Sequence, residues 1–172
     1  MQYTIRPVCE NDAYDIHEIR LQAEVLPNIL SVPSETVDAT RNWLCDTDPA
    51  SQHIFVAEAQ LDDGSAKVVG IASMTISGRL RQRHVALAGI MLHKDYHGMG
   101  IGTNLMKQLI DLADNWLNLV RLELDVLSVN EGAMRFYERL GFEREGVKRM
   151  DTVRLGKYVD SVLMARINYE RA

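Results

Sequence analysis

The sequence has few cysteines and no long apolar run, and both absences exclude classes of protein. Cys9 and Cys45 are the two cysteines among 172 residues, and their separation fits neither a metal site nor a disulfide framework. We interpret them as free, buried thiols of a cytoplasmic protein. No apolar stretch approaches the roughly 20 residues of a membrane-spanning helix. Residues 1–15 also lack the basic and apolar pattern of a signal peptide.

Basic residues are outnumbered by acidic ones, 19 against 24, which gives a formal net charge of −5. A general nucleic-acid-binding protein needs an excess of positive charge, so this class is disfavoured. The hydrophobic content of 47% and the charged content of 25% are ordinary for a globular protein. The length is that of one domain, which we place at residues 1–172.

Hydrophobic periodicity predicts a mixed α/β fold. Strands are expected at residues 2–8, 53–60, 67–76, 84–92 and 121–129, with a closing β-hairpin that turns near residues 155 and 156. The strand at 84–92 is almost wholly apolar, so both of its faces should be covered. Helices are expected at residues 13–23, from a cap at Ser34 to residue 44, from residue 101 to Trp116, and from a cap at Asn130 to residue 140.

Three glycines alternate between the apolar strand and the third helix, at Gly98, Gly100 and Gly102. Glycine is costly in a regular element, so this density predicts a sharp bend or a close approach of the backbone to a ligand. The first amides of a helix have no acceptor within the helix and lie at the positive end of its dipole. We call residues 97–102 the glycine loop and interpret it as a phosphate-binding site.

Three other interpretations of the glycine loop are weaker. A P-loop needs lysine and then serine or threonine at the helix start, but Thr103 and Asn104 follow Gly102. A dinucleotide-binding fold needs GxGxxG directly after the strand, and here GxGxG follows an intervening HKDYH. Glu123 stands about where a ribose-binding acid would, so this alternative stays open. A tight turn without a ligand needs only one glycine, which argues against it.

Two motifs together resemble the Gcn5-related N-acetyltransferase (GNAT) superfamily. The first is Gln/Arg-x-x-Gly-x-Gly/Ala, represented here by His97, Gly100 and Gly102, with histidine in place of the usual arginine or glutamine. The second is roughly Asn-x-x-Ala-x-x-Phe-Tyr-x-x-x-Gly-Phe, and it matches Asn130, Ala133, Phe136, Tyr137, Gly141 and Phe142. The resemblance covers essentially the whole chain. It implies the GNAT fold, a central mixed and largely antiparallel sheet flanked by about four helices.

Four segments, NILSVP, RQRHVA, DNWL and KYVDSVLMAR, are similar to the bacterial L-amino acid N-acetyltransferases of this superfamily. This resemblance implies acetyl transfer from acetyl-CoA to the primary amine of a small molecule, by direct attack in a ternary complex and without a metal. Related subgroups acetylate phosphinothricin, methionine sulfoximine, polyamines or ribosomal N-termini. A protein N-terminus or lysine is therefore one alternative acceptor, and a non-catalytic acyl-CoA-binding sensor is the alternative from another class.

The resemblance also implies which residues bind acetyl-CoA. Its pyrophosphate is expected on the backbone amides of His97, Gly98, Met99, Gly100, Ile101, Gly102 and Thr103. The pantetheine arm is expected along the backbone of Ile90, Met91 and Leu92, with Asn130 bonded near the thioester. Tyr137 is the expected proton donor to the leaving thiolate. The alternative role for Tyr137 is that of a buried aromatic packed on Phe136.

The sequence does not single out a base for the incoming ammonium. The open alternatives are His84, Asp125, Glu123, Glu35 and a chain of water molecules. The acceptor amine is expected beside residues 26–36, which two prolines stiffen, and near Tyr158. The arginines that offer a partner for an acceptor carboxylate are Arg79, Arg81 and Arg83. Family habit and the exposed strands of the closing hairpin favour a homodimer.

Overall fold

A computed structural model describes residues 2–170 of the chain. Within that range the strands are β1 Tyr3–Pro7, β2 Gln52–Gln60, β3 Ala66–Ile76, β4 Val85–Leu92, β5 Arg121–Leu127, β6 Glu143–Arg154 and β7 Lys157–Ile167. The α-helices are α1 Ala13–Leu21, α2 Val37–Cys45, α3 Ile101–Asp111 and α4 Glu131–Glu138. This order of elements is the predicted one. No helix among the described residues is long and apolar enough to cross a membrane.

The strands form one sheet in the order β1-β2-β3-β4-β5-β7-β6. The pairs β1/β2, β5/β7 and β6/β7 are antiparallel. Strands β4 and β5 are parallel, and their pairing joins Val85–Leu87 to Arg121–Glu123. Parallel neighbours need a long crossover connection, and the chain between β4 and β5 contains α3. The sheet is therefore mixed and largely antiparallel, which confirms the expected fold class.

Contacts among the described residues group the chain into two compact units. The first unit comprises Met1–Met74 and Gly89–Leu109. Its main apolar core joins α1 and α2 to the strands, and its fully or almost fully buried members are Ala13, Ile16, Ile19, Val25, Leu44, Ile54, Val56, Val68 and Ile71. On α1, Ile16 and Ile19 are buried on one face, as their spacing in the sequence predicts, but Ala23, which was expected on the same face, lies beyond the end of the helix and is exposed.

The second unit comprises Thr75–Ala88 and Ile110–Ala172. Its buried side chains come from β5, α4, β7 and the turn after α4, and they include Leu122, Leu124, Val126, Met134, Tyr137, Phe142, Val162 and Met164. Strand β6 is the edge of the sheet and is mostly exposed. The chain turns from β6 to β7 at Leu155 and Gly156, whose φ angles of 47° and 78° suit a two-residue hairpin. The predicted closing hairpin is confirmed.

The cap of α2 differs from the prediction. Thr36, rather than Ser34, caps the helix, because its hydroxyl accepts a hydrogen bond from the Ala39 amide at 3.2 Å. Its backbone is extended, with φ −104° and ψ 160°, as an N-cap requires. The prolines and the Thr36 cap delay the helix, which begins at Val37.

Trp116 does not lie on the buried face of the third helix, where the periodicity places it. Its side chain is 77% exposed. Helix α3 is followed by a π-helical turn, Leu112–Trp116, in which the Leu117 amide donates to the Leu112 carbonyl at 3.1 Å. A π turn has more residues per turn than an α-helix, so it rotates the following side chains away from the expected face.

Two predictions of burial are also wrong. Cys9 and Cys45 are exposed rather than buried. Cys9 lies in the loop before α1, and Cys45 ends α2 beside the buried Leu44, on a different face of the helix. The prediction that both faces of β4 are covered holds for Val85, Ala86 and Ala88 but fails at Leu87, which is 56% exposed.

Arg6 connects β1, β2 and the start of α1 through two carboxylates. It donates two hydrogen bonds of 2.8 Å to Asp12 and two, of 3.1 and 2.5 Å, to Glu58. Asp12 is 5% exposed and also accepts from the Cys9 amide at 2.8 Å. Burial alone would raise the pKa of Asp12, but the bonds from Arg6 and Cys9 outweigh it and hold the pKa below its usual value.

We expect Asp12→Ala to lower the free energy of unfolding by about 2–4 kcal/mol at neutral pH, because Arg6 and the Cys9 amide both lose a partner. The pKa of Asp12 is lower in the folded protein than in the unfolded chain. Asp12 therefore stabilises the fold fully above the ordinary carboxyl pKa of about 4, and this stabilisation is lost as the pH falls through the lower pKa of the folded state. Urea unfolding at neutral and acidic pH measures both effects. Asp38→Ala is the control, because its exposed pair with Arg41 contributes little. Equal losses in the two variants would contradict the prediction.

Candidate functional site

The glycine loop lies between a 3-10 turn, Lys94–Tyr96, and the first turn of α3. Gly98 and Gly100 have φ angles of 76° and 80°, in the left-handed region that a residue with a Cβ reaches at a cost. A Cβ at either position would meet no atom within 4 Å. These two positions therefore favour glycine because of their left-handed backbone conformation, and not because a side chain there would clash with neighbouring atoms. Gly102 differs, because it is buried within the helix.

The start of α3 presents a run of backbone amides. The Asn104 amide donates to the Gly100 carbonyl at 3.1 Å, which is the first i to i−4 bond of the helix. The amides of Ile101, Gly102 and Thr103 precede that bond and have no acceptor within the helix. The His97 amide already donates to the Lys94 carbonyl at 3.1 Å. The donors predicted for a phosphate therefore begin after His97.

The His97 side chain contacts the end of β4. Its Nε2 lies 3.0 Å from the Leu92 carbonyl oxygen. A carbonyl only accepts, so Nε2 carries the hydrogen in this bond. The imidazole is exposed and fixes the loop to the strand along which the pantetheine arm is expected. Ile90, Met91 and Leu92 are half-buried there.

Buried side chains hold α3 in place below the loop. Ile101, Leu105, Met106 and Leu109 are 0% exposed. Gly70 on β3 allows a close approach, since a Cβ there would lie 2.6 Å from Cδ1 of Leu92 and 3.0 Å from Cδ1 of Leu105. The loop thus connects a strand end and a helix that are both fixed by close packing.

The contacts at the entry to the glycine loop are not among those that the sequence predicts. The Lys94 amide donates to Oε1 of Gln22 at 2.9 Å, and Lys94 Nζ donates to Oε1 of Glu24 at 2.5 Å. The second bond raises the pKa of Lys94 and lowers the pKa of Glu24. Gln22 and Lys94 are 72 positions apart, so no local pattern in the sequence indicates their contact.

The second motif forms α4 and its cap in the second unit. Oδ1 of Asn130 accepts from the Ala133 amide at 3.1 Å, so the predicted N-cap is confirmed. The nitrogen of the Asn130 side chain takes no part in that bond and carries two donor hydrogens. The geometry is therefore compatible with a cap and a ligand contact from the same side chain.

Tyr137 lies on α4 and is 6% exposed. Its ring packs edge-on against Phe136 and Phe142, with centroids 5.2 and 5.6 Å away. Gly141, with φ 86°, reverses the chain after α4 so that Phe142 folds back, and the Phe142 amide donates to the Tyr137 carbonyl at 3.1 Å. These contacts fix the ring in one orientation, which suits both a structural aromatic and a positioned phenol.

The carboxylates considered as bases each face a basic side chain. The pairs are Asp125 with Lys148 at 2.5 Å, Glu123 with Arg121 at 2.8 Å, and Glu35 with Arg20 at 3.6 Å. His84 is exposed, and its carbonyl accepts from the amides of Val120 and Arg121, both at 3.0 Å. The exposed arginines Arg79, Arg81 and Arg83 lie around a 3-10 turn, Leu80–Gln82.

The expected site residues divide between the two units. Residues 90–92 and the glycine loop belong to the first unit, and Asn130 and Tyr137 belong to the second. No group of three or more His, Cys, Asp or Glu side chains in the part of the chain that the structure describes is arranged to hold a metal ion.

Comparison with known proteins identifies relatives. Residues 14–142 match the model of the acetyltransferase (GNAT) family. The chain is 32% identical to the L-amino acid N-acetyltransferase AaaT of Escherichia coli K12 over 166 residues, 96% of this chain and 98% of that protein. It is 26% identical to the spermidine N(1)-acetyltransferase of the same strain, over 96% and 86% of the two chains. A Vibrio cholerae spermidine N-acetyltransferase, solved with CoA and spermine, matches with a TM-score of 0.84 at 22% identity, over 99% and 98%.

We expect Gly100→Ala to weaken CoA binding by about tenfold or more. The left-handed backbone conformation at this position orients the first amides of α3, and alanine adopts that conformation only at an energetic cost. Gly64→Ala is the matched control, since Gly64 has φ 83° and equally open surroundings in the β2–β3 turn. Both variants should lose about 1 kcal/mol of stability. Calorimetric titration with CoA and urea unfolding separate the two effects. Unchanged CoA affinity in Gly100→Ala would contradict the role given to the loop.

Proposed function

Because the chain belongs to the acetyltransferase (GNAT) family, we propose that it transfers the acetyl group of acetyl-CoA to the amino group of an L-amino acid or a close analogue. The observation that carries the choice of acceptor is the 32% identity to an L-amino acid N-acetyltransferase across nearly all of both chains. The proposal treats residues 1–172 as one catalytic domain. Its support is that the family match, residues 14–142, includes parts of both compact units.

The backbone amides from Gly98 to Thr103 bind the pyrophosphate of acetyl-CoA in this proposal. The support is the left-handed geometry of Gly98 and Gly100 and the amides that precede the first bond of α3. Negative charge is favoured at a helix N-terminus by the dipole and by the unpaired amides together. The backbone of residues 90–92 binds the pantetheine arm, and the side-chain nitrogen of Asn130 donates to it.

The chemical step is attack of the neutral amine on the thioester carbonyl. A carbon–nitrogen bond forms, the carbon–sulfur bond breaks, and the electron pair leaves on sulfur. Tyr137 donates its phenolic proton to that thiolate, and the proton that the attacking nitrogen loses as the amide forms restores the phenol by way of water. Support comes from its place in the matched motif and from the packing that fixes its ring between Phe136 and Phe142. Alignment of the amine with the thioester supplies much of the acceleration.

The proton released by the incoming ammonium passes to water in this proposal, rather than directly to a side chain. The support is that each carboxylate considered as the base already faces an arginine or a lysine, at 2.5 to 3.6 Å. His84 stays the alternative, because its side chain is exposed just before β4 and a neutral imidazole nitrogen can accept a proton.

The first experiment measures free thiol released from acetyl-CoA, with the proteinogenic amino acids, methionine sulfoximine, phosphinothricin and spermidine as acceptors. We expect turnover with L-amino acids, and we expect Tyr137→Phe to lower kcat by about 10- to 100-fold, because the thiolate loses its proton donor. Tyr169→Phe is the control, since that side chain is 76% exposed. Equal rates for wild type and Tyr137→Phe would exclude the role as proton donor.

The acceptor panel also decides between the alternatives. Turnover with spermidine alone would favour a polyamine acetyltransferase, for which the relation to the spermidine enzymes is the supporting observation. Turnover with a peptide N-terminus or lysine, but with no free amino acid, would favour a protein acetyltransferase. Tight CoA binding without any turnover would favour an acyl-CoA-binding sensor.

We also propose a homodimer formed through β6. The support is that this edge strand exposes several apolar side chains, with Val147 58%, Met150 67% and Val153 63% accessible. Light scattering after size-exclusion chromatography should give twice the chain mass, and Val153→Asp should give the single mass. Val32→Asp, at another exposed valine, is the control and should leave the dimer intact. A wild-type chain that elutes as a monomer at micromolar concentration would contradict the proposal.

A further inference from the structure

Gln22 lies between the end of α1 and residues 23–35, a segment with one 3-10 turn, Leu26–Asn28, and no α-helix, which we call the connector. The Gln22 amide donates to the Ile19 carbonyl at 3.3 Å and so ends α1. Its carbonyl accepts from the amides of Val25 and Leu26, at 3.0 and 2.9 Å. Its main chain thus fixes the first turn of the connector.

The side chain of Gln22 extends in another direction, to the entry of the glycine loop. Its Oε1 accepts from the Lys94 amide at 2.9 Å. The Lys94 carbonyl in turn accepts from the His97 amide, the first residue of the loop, at 3.1 Å. Two hydrogen bonds therefore connect the glycine loop to Gln22, and Gln22 connects directly to the connector.

A second contact reinforces the same connection from the surface. Lys94 Nζ donates to the carboxylate of Glu24, and the Glu24 carbonyl accepts from the side-chain nitrogen of Asn28 at 2.8 Å. The ion pair is exposed, with side chains 55% and 47% accessible, so it contributes little free energy. The bond from the Lys94 amide to Gln22 is exposed as well, but it joins the main chain of Lys94 directly to the Gln22 side chain.

We infer that Gln22 is a positioning residue that couples the cofactor loop to the connector, so that CoA bound at the loop also orders residues 23–35. This inference rests on the proposed function, in which the loop binds the pyrophosphate, and on the expectation from the sequence that the acceptor amine lies beside residues 26–36. A ligand that immobilises the loop immobilises Lys94, and the Gln22 bond extends that order to the connector turn. By linkage, an ordered connector strengthens CoA binding to the same degree.

Two variants remove the hydrogen bond between the Lys94 amide and Gln22, one at the acceptor and one at the donor. Gln22→Ala removes the acceptor, and Lys94→Pro removes the amide donor at the first position of a 3-10 turn, where proline is tolerated. Each has a matched control. Gln22→Glu keeps an acceptor oxygen, and Lys94→Ala keeps the amide while it removes the exposed ammonium. Gln60→Ala, at the exposed end of β2, controls for loss of a glutamine elsewhere.

The measurement is amide hydrogen exchange with and without saturating CoA, together with calorimetric titration by CoA. In the wild type and the three controls, CoA should slow exchange in residues 94–104 and also in residues 23–35. In Gln22→Ala and Lys94→Pro, the protection of 94–104 should persist and that of 23–35 should be lost. The Kd for CoA should rise by about 3- to 10-fold in these two variants, the effect of one lost hydrogen bond.

The outcomes separate this inference from the proposed function. CoA binding that protects residues 94–104 without protecting 23–35 in the wild type overturns the coupling alone. Equal protection of residues 23–35 in wild type and Gln22→Ala also overturns it. If Gln22→Ala does not fold, the same test is made by comparing the protection of residues 23–35 in Lys94→Pro with that in Lys94→Ala. Absence of any CoA binding to the wild type overturns the proposed function and the coupling together.

Discussion

An α-helix cannot pair its own first amide groups, and the expected cofactor site of this protein depends on that constraint. Ile101, Gly102 and Thr103 precede the first hydrogen bond of α3, so their amides have to be paired by something outside the helix. Gly98 and Gly100 give the preceding loop its left-handed turns. The fully buried Ile101 and Leu105 anchor the start of the helix in the core.

The sequence predicts those elements whose pattern is local. The order of strands and helices, the Asn130 cap and the hairpin turn at Leu155 and Gly156 all follow from short stretches of residue types. The return of Phe142 onto Tyr137 was also predictable, because Gly141 permits the left-handed turn that ends α4. These features need information from only a few neighbouring residues, and the sequence contains it.

Features that depend on competition between similar signals, or on distant residues, were not predictable. Ser34 and Thr36 are both good caps, and only the folded backbone shows that Thr36 has the extended conformation. The π turn after α3 leaves no mark in the hydrophobic pattern, so Trp116 was assigned to the wrong face. The bond between Gln22 and Lys94 joins residues from the two separate chain segments of the first unit, and neither residue type is unusual at its position.

The connector is held chiefly by hydrogen bonds between main-chain atoms, so its backbone conformation depends little on which side chains it carries. The amides of Val25, Leu26 and Asn28 bond to carbonyls within the same short stretch, whatever side chains these residues carry. Leu30 is 82% exposed, so replacing it leaves the core intact. Substitutions in the connector therefore change the side chains on its surface but leave its backbone conformation unchanged. A fold of this kind can present a different surface in this stretch by substitution alone, without insertions and without change to the start of α3.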